Sequence, residues 1–150
     1  MTRRNRKFSM ADITSKAEVL RQAVASGRIQ LKQSTIARIR SRRIAKGDPI
    51  AAAEVAAVLA AKNTPQTLPF CHPIPITNVL TEAEVGRSSI TVRSSVRTTA
   101  RTGVEMEALN AASTYLLTIW DMVKQYEKDS RGQYPDTRIS DLRVVTKSKG

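Results

Sequence analysis

One cysteine, Cys71, and one histidine, His72, are all that the 150 residues contain of either type. A lone thiol excludes an intrachain disulfide, and the pair falls well short of the ligands a structural zinc site needs. Aromatics are scarce too, with two Phe, three Tyr and one Trp, too few for the stacking platform on which single-stranded nucleic acid is bound. No apolar run spans a bilayer: the longest, around Ala51 to Ala61, is short and interrupted by Glu54. The first eight residues are basic but lack the apolar centre of a secretory signal. These absences predict a cytoplasmic protein in a reducing compartment, with no membrane partner and with nucleic acid disfavoured. Also missing are G-x-x-x-x-G-K followed by Ser or Thr, G-x-G-x-x-G, C-x-x-C and H-E-x-x-H. The phosphate-loop, dinucleotide and zinc-enzyme readings lose their main support.

What is present is a cationic N-terminal third. Thirteen of the 25 lysines and arginines fall in residues 1–50, against only Asp12, Glu18 and Asp48, while the whole chain carries a formal charge of +12. Such a field attracts polyanions, and it is equally the signature of a mobile tail and solvated helix faces. The length suits one domain. The expected division is a basic, flexible tail over residues 1–9 and a single domain over residues 10–150.

Residues 15–27 carry two conflicting signals. Ser15 and Glu18 have capping-box spacing with Gly27 as a stop, yet Arg21, Ala23, Ala25, Gly27, Ile29 and Leu31 alternate with period two. We read a strand ending near Leu31. Ser34 then caps a helix ending at Gly47, and Asp48-Pro49 starts another that runs through the alanines to Lys62, making Lys46-Gly47-Asp48 an interhelix corner. Four prolines in residues 63–75 exclude regular structure there. Two β-rich runs, 76–85 and 88–99, flank Gly86-Arg87 as a hairpin. Residues 103–128 carry apolar positions at helical spacing, and 138–145 alternate as a last strand. The order β, two helices, β, β, helix, β suits an α+β fold of the ferredoxin-like kind, an antiparallel sheet with helices packed on one face.

The loop Leu68-Pro69-Phe70-Cys71-His72-Pro73 sets the only thiol beside the only imidazole in a backbone stiffened by proline. His72 suits proton transfer near neutral pH, whereas Cys71 reads as a small apolar residue. Glu105 and Glu107 open the long helix, where acids favour the dipole; two positions apart, they diverge by about 200° and should not share a cleft on a regular helix. Asp121 and Lys124 share a face as an i,i+3 pair, by default a structural one. Glu107 and Asp121 stand fourteen residues apart, about 21 Å along an unbroken helix. One small substrate cannot touch both on one chain, so a site using both requires two subunits.

At these residues the sequence resembles the cyclic pyranopterin monophosphate synthases, the molybdenum cofactor biosynthesis protein C (MoaC) family. The resemblance lies in Lys46-Gly47-Asp48, in Leu68 through Pro73, in Arg101-Thr102-Gly103-Val104-Glu105-Met106-Glu107-Ala108-Leu109 and in Asp121-Met122-Val123-Lys124, with Met10-Ala11-Asp12 and Lys16 at the start. It runs from about Met10 to the C-terminus. It implies conversion of 3′,8-cyclised dihydro-GTP, made by a preceding radical enzyme, into cyclic pyranopterin monophosphate with release of pyrophosphate. It further implies a homo-hexamer, a trimer of dimers, with active sites shared at a subunit interface. No redox cofactor is required, and Mg²⁺ enters only with the triphosphate. Carried over by position, the catalytic residues are Lys46, Lys124 and Asp121, and the substrate-binding residues His72, Glu105 and Glu107. Our mechanistic expectation is that Lys46 and Lys124 approach each other across the interface, one acting as base and the other as acid. The chain departs from the family pattern at Lys147-Ser148-Lys149-Gly150, which lacks the paired glycines of K-S-G-G-K-S, at Ala100 where glycine is usual, and at Phe70 where leucine is usual. The alternative reading is a non-catalytic nucleotide or nucleic-acid binding module on the same scaffold.

Overall fold

Alternation prevails over the capping box in the N-terminal third. A computed structural model, describing residues 7–150, has β1 at Val19–Gln30, followed by α1 (Gln33–Arg40), α2 (Pro49–Lys62), a short α3 (Thr64–Thr67), β2 (Asn78–Val85), β3 (Ser89–Ala100), α4 (Glu105–Glu127) and β4 (Arg138–Lys149). Residues 1–6 of the expected tail lie outside the described residues. The four strands form one sheet in the order β2-β3-β1-β4, and every neighbouring pair is antiparallel. Two crossovers, one through α1 and α2 and one through α4, make this the ferredoxin-like α+β arrangement expected. Among the described residues no helix is long and apolar enough to cross a membrane.

The core lies between the sheet and α4. β1 buries Ala23, Ala25 and Ile29, β3 buries Ile90, Val92 and Val96, and α4 covers them with Ala108, Ala112, Leu116, Ile119 and Val123. Gly27 allows the close approach: a Cβ there would stand 2.8 Å from Leu116 Cδ1. α2 turns Ala53, Ala57 and Ala61 inward at four-residue spacing, so that a stripe of small side chains seats it on α4. Asp48 caps that helix by accepting from Ile50 N at 2.9 Å and Ala51 N at 3.3 Å, with Pro49 in the first turn as the sequence predicts.

Several local expectations need correction. Ser34 does not cap α1: the cap position is Lys32, without a side-chain bond of its own. Its N–H instead donates to both carboxylate oxygens of Glu127 at 3.2 Å, and the Thr35 hydroxyl donates to the same group. Nor does α1 reach Gly47. It stops at Arg40 because Arg42 takes a φ of 57°, and residues 41–47 form a loop. Residues 63–75 are not wholly irregular, since Pro65 sits in the first turn of α3, where its missing N–H costs nothing. β4 continues past Val145 to Lys149, its last residues pairing with β1 from Arg21 to Ala23.

Candidate functional site

At the C-terminal end of α4, Asp121 gathers two cations. Lys124, one turn on, places Nζ 3.0 Å from Oδ1, and Lys46, from the loop before α2, places Nζ 3.3 Å from Oδ2 and 3.0 Å from the Asp121 carbonyl. All three side chains are about half exposed. The two lysines therefore meet on one carboxylate within one chain, rather than approaching across an interface as expected. The loop that carries Lys46 is short and pinned by buried Ile44, which brings Lys46 back onto the helix. The Lys124 ammonium, then that of Lys46, holds the Asp121 carboxyl below the usual range, and Asp121 in turn raises Lys124 above its ordinary value.

At the N-terminal end of α4 lies a cleft of about 520 Å³ whose walls include Lys16, Cys71, His72, Glu105 and Glu107. Glu107, only 2% exposed, accepts from the Cys71 thiol at 3.5 Å, and its second carboxylate oxygen has no partner. Burial, reinforced by the like charge of Glu105, pushes its carboxyl above the usual range. Burial, with Glu107 alongside, also pushes the Cys71 thiol up to about 11, which keeps it protonated at neutral pH. Glu105 behaves oppositely. Burial would raise it, but its own backbone N–H, Lys147 at 3.0 Å and Arg21 outweigh that and hold it low.

The two glutamates line one cleft, contrary to the sequence expectation. Glu105 is the first residue of α4, and its carboxylate folds back over Gly103, filling the space a Cβ would take there. Glu107, one turn-fragment later, points inward. The 200° argument assumes two side chains leaving a helix radially, and a helix terminus beside a glycine breaks that assumption. His72 Nε2 lies 2.7 Å from the Ala11 carbonyl and, because that oxygen can only accept, serves as the donor. Arg101 holds the same N-terminal stretch by donating to the Thr14 carbonyl at 3.1 Å.

The structure thus groups Lys46, Asp121 and Lys124 at one end of α4 and His72, Glu105 and Glu107 at the other. Unbroken from Glu105 to Glu127, the helix keeps these two groups apart within a chain. Sequence reasoning missed Arg21 as a site residue and left Lys147 without a partner: both flank Glu105 in a second cleft of about 160 Å³, together with Lys149. The signal for Arg21 was present, since alternation puts it on the same side of β1 as Ala23 and Ala25; Lys147 becomes visible only once β4 is known to pair with Ala23. Among the described residues no three His, Cys, Asp or Glu side chains gather as a metal site.

Comparison with known proteins adds to this geometry. The MoaC family matches residues 10–150. A protein of Sulfolobus acidocaldarius named "Probable cyclic pyranopterin monophosphate synthase" is 57% identical over 140 residues, covering 93% of this chain and 98% of that protein. Proteins of the same name from Aeropyrum pernix and Archaeoglobus fulgidus are 55% and 51% identical over 141 and 144 residues, with 97% and 92% of their own lengths covered. A likeness this close, extending through both groups of charged residues and almost from end to end, has one meaning for descent: the chain belongs to the MoaC family.

Proposed function

We propose that the chain is a cyclic pyranopterin monophosphate synthase of molybdenum cofactor biosynthesis, converting 3′,8-cyclised dihydro-GTP into cyclic pyranopterin monophosphate and pyrophosphate. The names of the relatives support the activity. The observation that carries the reading of the site is the division of six acid, base and cationic groups between the two ends of one helix. The reaction opens and recloses rings through repeated proton transfers, then a ribose hydroxyl attacks the α-phosphorus and pyrophosphate leaves. It needs proton donors, proton acceptors and cations, and no redox cofactor.

Lys124, kept charged by Asp121, suits the proton donor. Lys46, held on the other oxygen of the same carboxylate, suits the base that works opposite it. His72, Glu105 and Glu107 hold the purine-derived part, with Glu107 offering a carboxyl group that burial inclines to protonation. Arg21, Lys147 and Lys149 receive the phosphates beside Glu105, and Mg²⁺ arrives, if at all, bound to the triphosphate.

The two groups form one site when two chains pack with their α4 helices antiparallel. Glu107, Thr114 and Asp121 follow at seven-residue intervals and drift only about 20° per step, so they mark one stripe with Thr114 at its midpoint. A two-fold axis near Thr114 sets Glu107 of one chain beside Asp121 of the next, twice per dimer. The face there fits such a contact: Leu59 and Leu117, 53% and 55% exposed, border a groove with Ala56, Ala60, Asn110 and Thr114. Three such dimers form the proposed hexamer. The test is incubation of the purified protein with 3′,8-cyclised dihydro-GTP. Product and pyrophosphate are expected from the unmodified chain, with a loss of about 100-fold or more in Lys46→Ala and Lys124→Ala. No product from the folded, oligomeric protein would reject the synthase reading in favour of a nucleotide-binding module.

A further inference from the structure

Two residues beyond Lys124, the side chain of Tyr126 reaches off α4 in the direction of the loop that carries Lys46. Its hydroxyl accepts the Ala45 N–H at 2.9 Å, one residue before Lys46. The ring is in turn covered by the Arg38 guanidinium, 4.5 Å from its centroid. The loop itself is weakly determined by local structure. It contains two residues with positive φ, Arg42 and Gly47, and its internal backbone bonds near Lys46 reduce to Gly47 N to the Ile44 carbonyl at 3.1 Å. The Tyr126 hydroxyl is thus a direct hydrogen-bonded link from α4 to the backbone on the N-terminal side of Lys46, next to buried Ile44.

We infer that Tyr126 is a positioning residue, its hydroxyl fixing the Lys46 backbone on the helix that bears Asp121 and Lys124. This rests on the proposed role of Lys46 and deepens it. Lys46 has a long, half-exposed side chain with many rotamers, and its Nζ meets Asp121 at two points only if the main chain behind it is held. A carboxylate shared by two lysines is sensitive to such placement, because a displacement of about 1 Å at one ammonium alters both hydrogen bonds and the timing of proton transfer. Arg38 has the complementary task of keeping the tyrosine ring in place from α1.

The experiment compares Tyr126→Phe with the unmodified full-length protein. Phenylalanine keeps the ring beneath Arg38 and removes only the acceptor. Two readouts are taken: kcat and KM with 3′,8-cyclised dihydro-GTP, and the rates at which Lys46 and Lys124 are reductively methylated by formaldehyde and cyanoborohydride, resolved by peptide mass spectrometry. The second needs no substrate. Expected are a fall of about tenfold in kcat with KM within about twofold, and faster methylation of Lys46, freed from Asp121, with Lys124 changed far less. Equal Lys46 methylation in both proteins, or altered methylation with unchanged kcat, would overturn the positioning role. If the unmodified protein makes no product, the synthase reading fails, and a Lys46-specific methylation difference still upholds the tether while its absence rejects it.

Discussion

Glu107 is buried with one carboxylate oxygen unpartnered, and that combination costs stability whenever the group is charged. Its folded-state carboxyl binds a proton more tightly than the unfolded chain's, because burial raises it above the ordinary glutamate value of 4.5. The sign follows from linkage: the contribution is fully present below that ordinary value and is lost as the pH rises through the raised one. Glu107→Gln removes the dependence while keeping shape and hydrogen-bonding capacity. The variant should match the unmodified protein in thermal midpoint near pH 4 and exceed it by a few degrees at pH 7 to 8, read by calorimetry across that range. The same variant should lose most of its turnover, since the neutral amide cannot give up a proton. A stability gain with an activity loss is the mark of a buried acid retained for chemistry rather than for folding.

Glu127 uses burial in the opposite way, and its consequences extend over whole elements. Fully enclosed, it accepts from Lys32 N, from the Thr35 hydroxyl and, at 2.7 Å, from the Thr137 hydroxyl. One carboxylate thereby joins the last turn of α4 to the start of α1 and the approach to β4. Glu127→Ala strands all three donors and should cost about 2–4 kcal/mol, measured by denaturant unfolding, whereas Ser34→Ala, the cap expected from sequence, should cost almost nothing. That contrast shows what was legible at this scale. Alternation along β1, the Asp48-Pro49 start of α2 and the apolar spacing of α4 are local signals, and each element formed where they point. The cap of α1 was not legible, because its carboxylate lies 95 residues away in sequence. The end of α1 depended on a left-handed Arg42, a conformation no residue type announces. The site divides similarly: residues joined by an i,i+3 step or a short motif were found, while the Glu105–Lys147 pair, a contact of helix start with final strand, needed the sheet register.

For the molecule as a whole, the grouping of both lysines on a single Asp121 decides how mutant chains can complement each other. In the proposed antiparallel dimer each site takes Lys46, Asp121 and Lys124 from one chain and His72, Glu105 and Glu107 from the other. A mixture of Lys46→Ala and Lys124→Ala chains then gives no intact lysine group anywhere, so activity should stay at the level of the separate mutants. Mixing Lys124→Ala with Glu107→Gln has a different outcome. In a mixed dimer one site collects both defects and the other collects neither, so random reassembly should restore about a quarter of the sites. The measurement is product formation after denaturing the mixed chains together and refolding them, with each mutant refolded alone as the baseline. Equal rescue in both mixtures would mean that the lysines come from different subunits, and no rescue in either would mean that each site is built within one chain. The quarter should also vanish on dilution below the dimer dissociation constant, since neither group of residues has a partner in an isolated chain whose α4 keeps them about 21 Å apart.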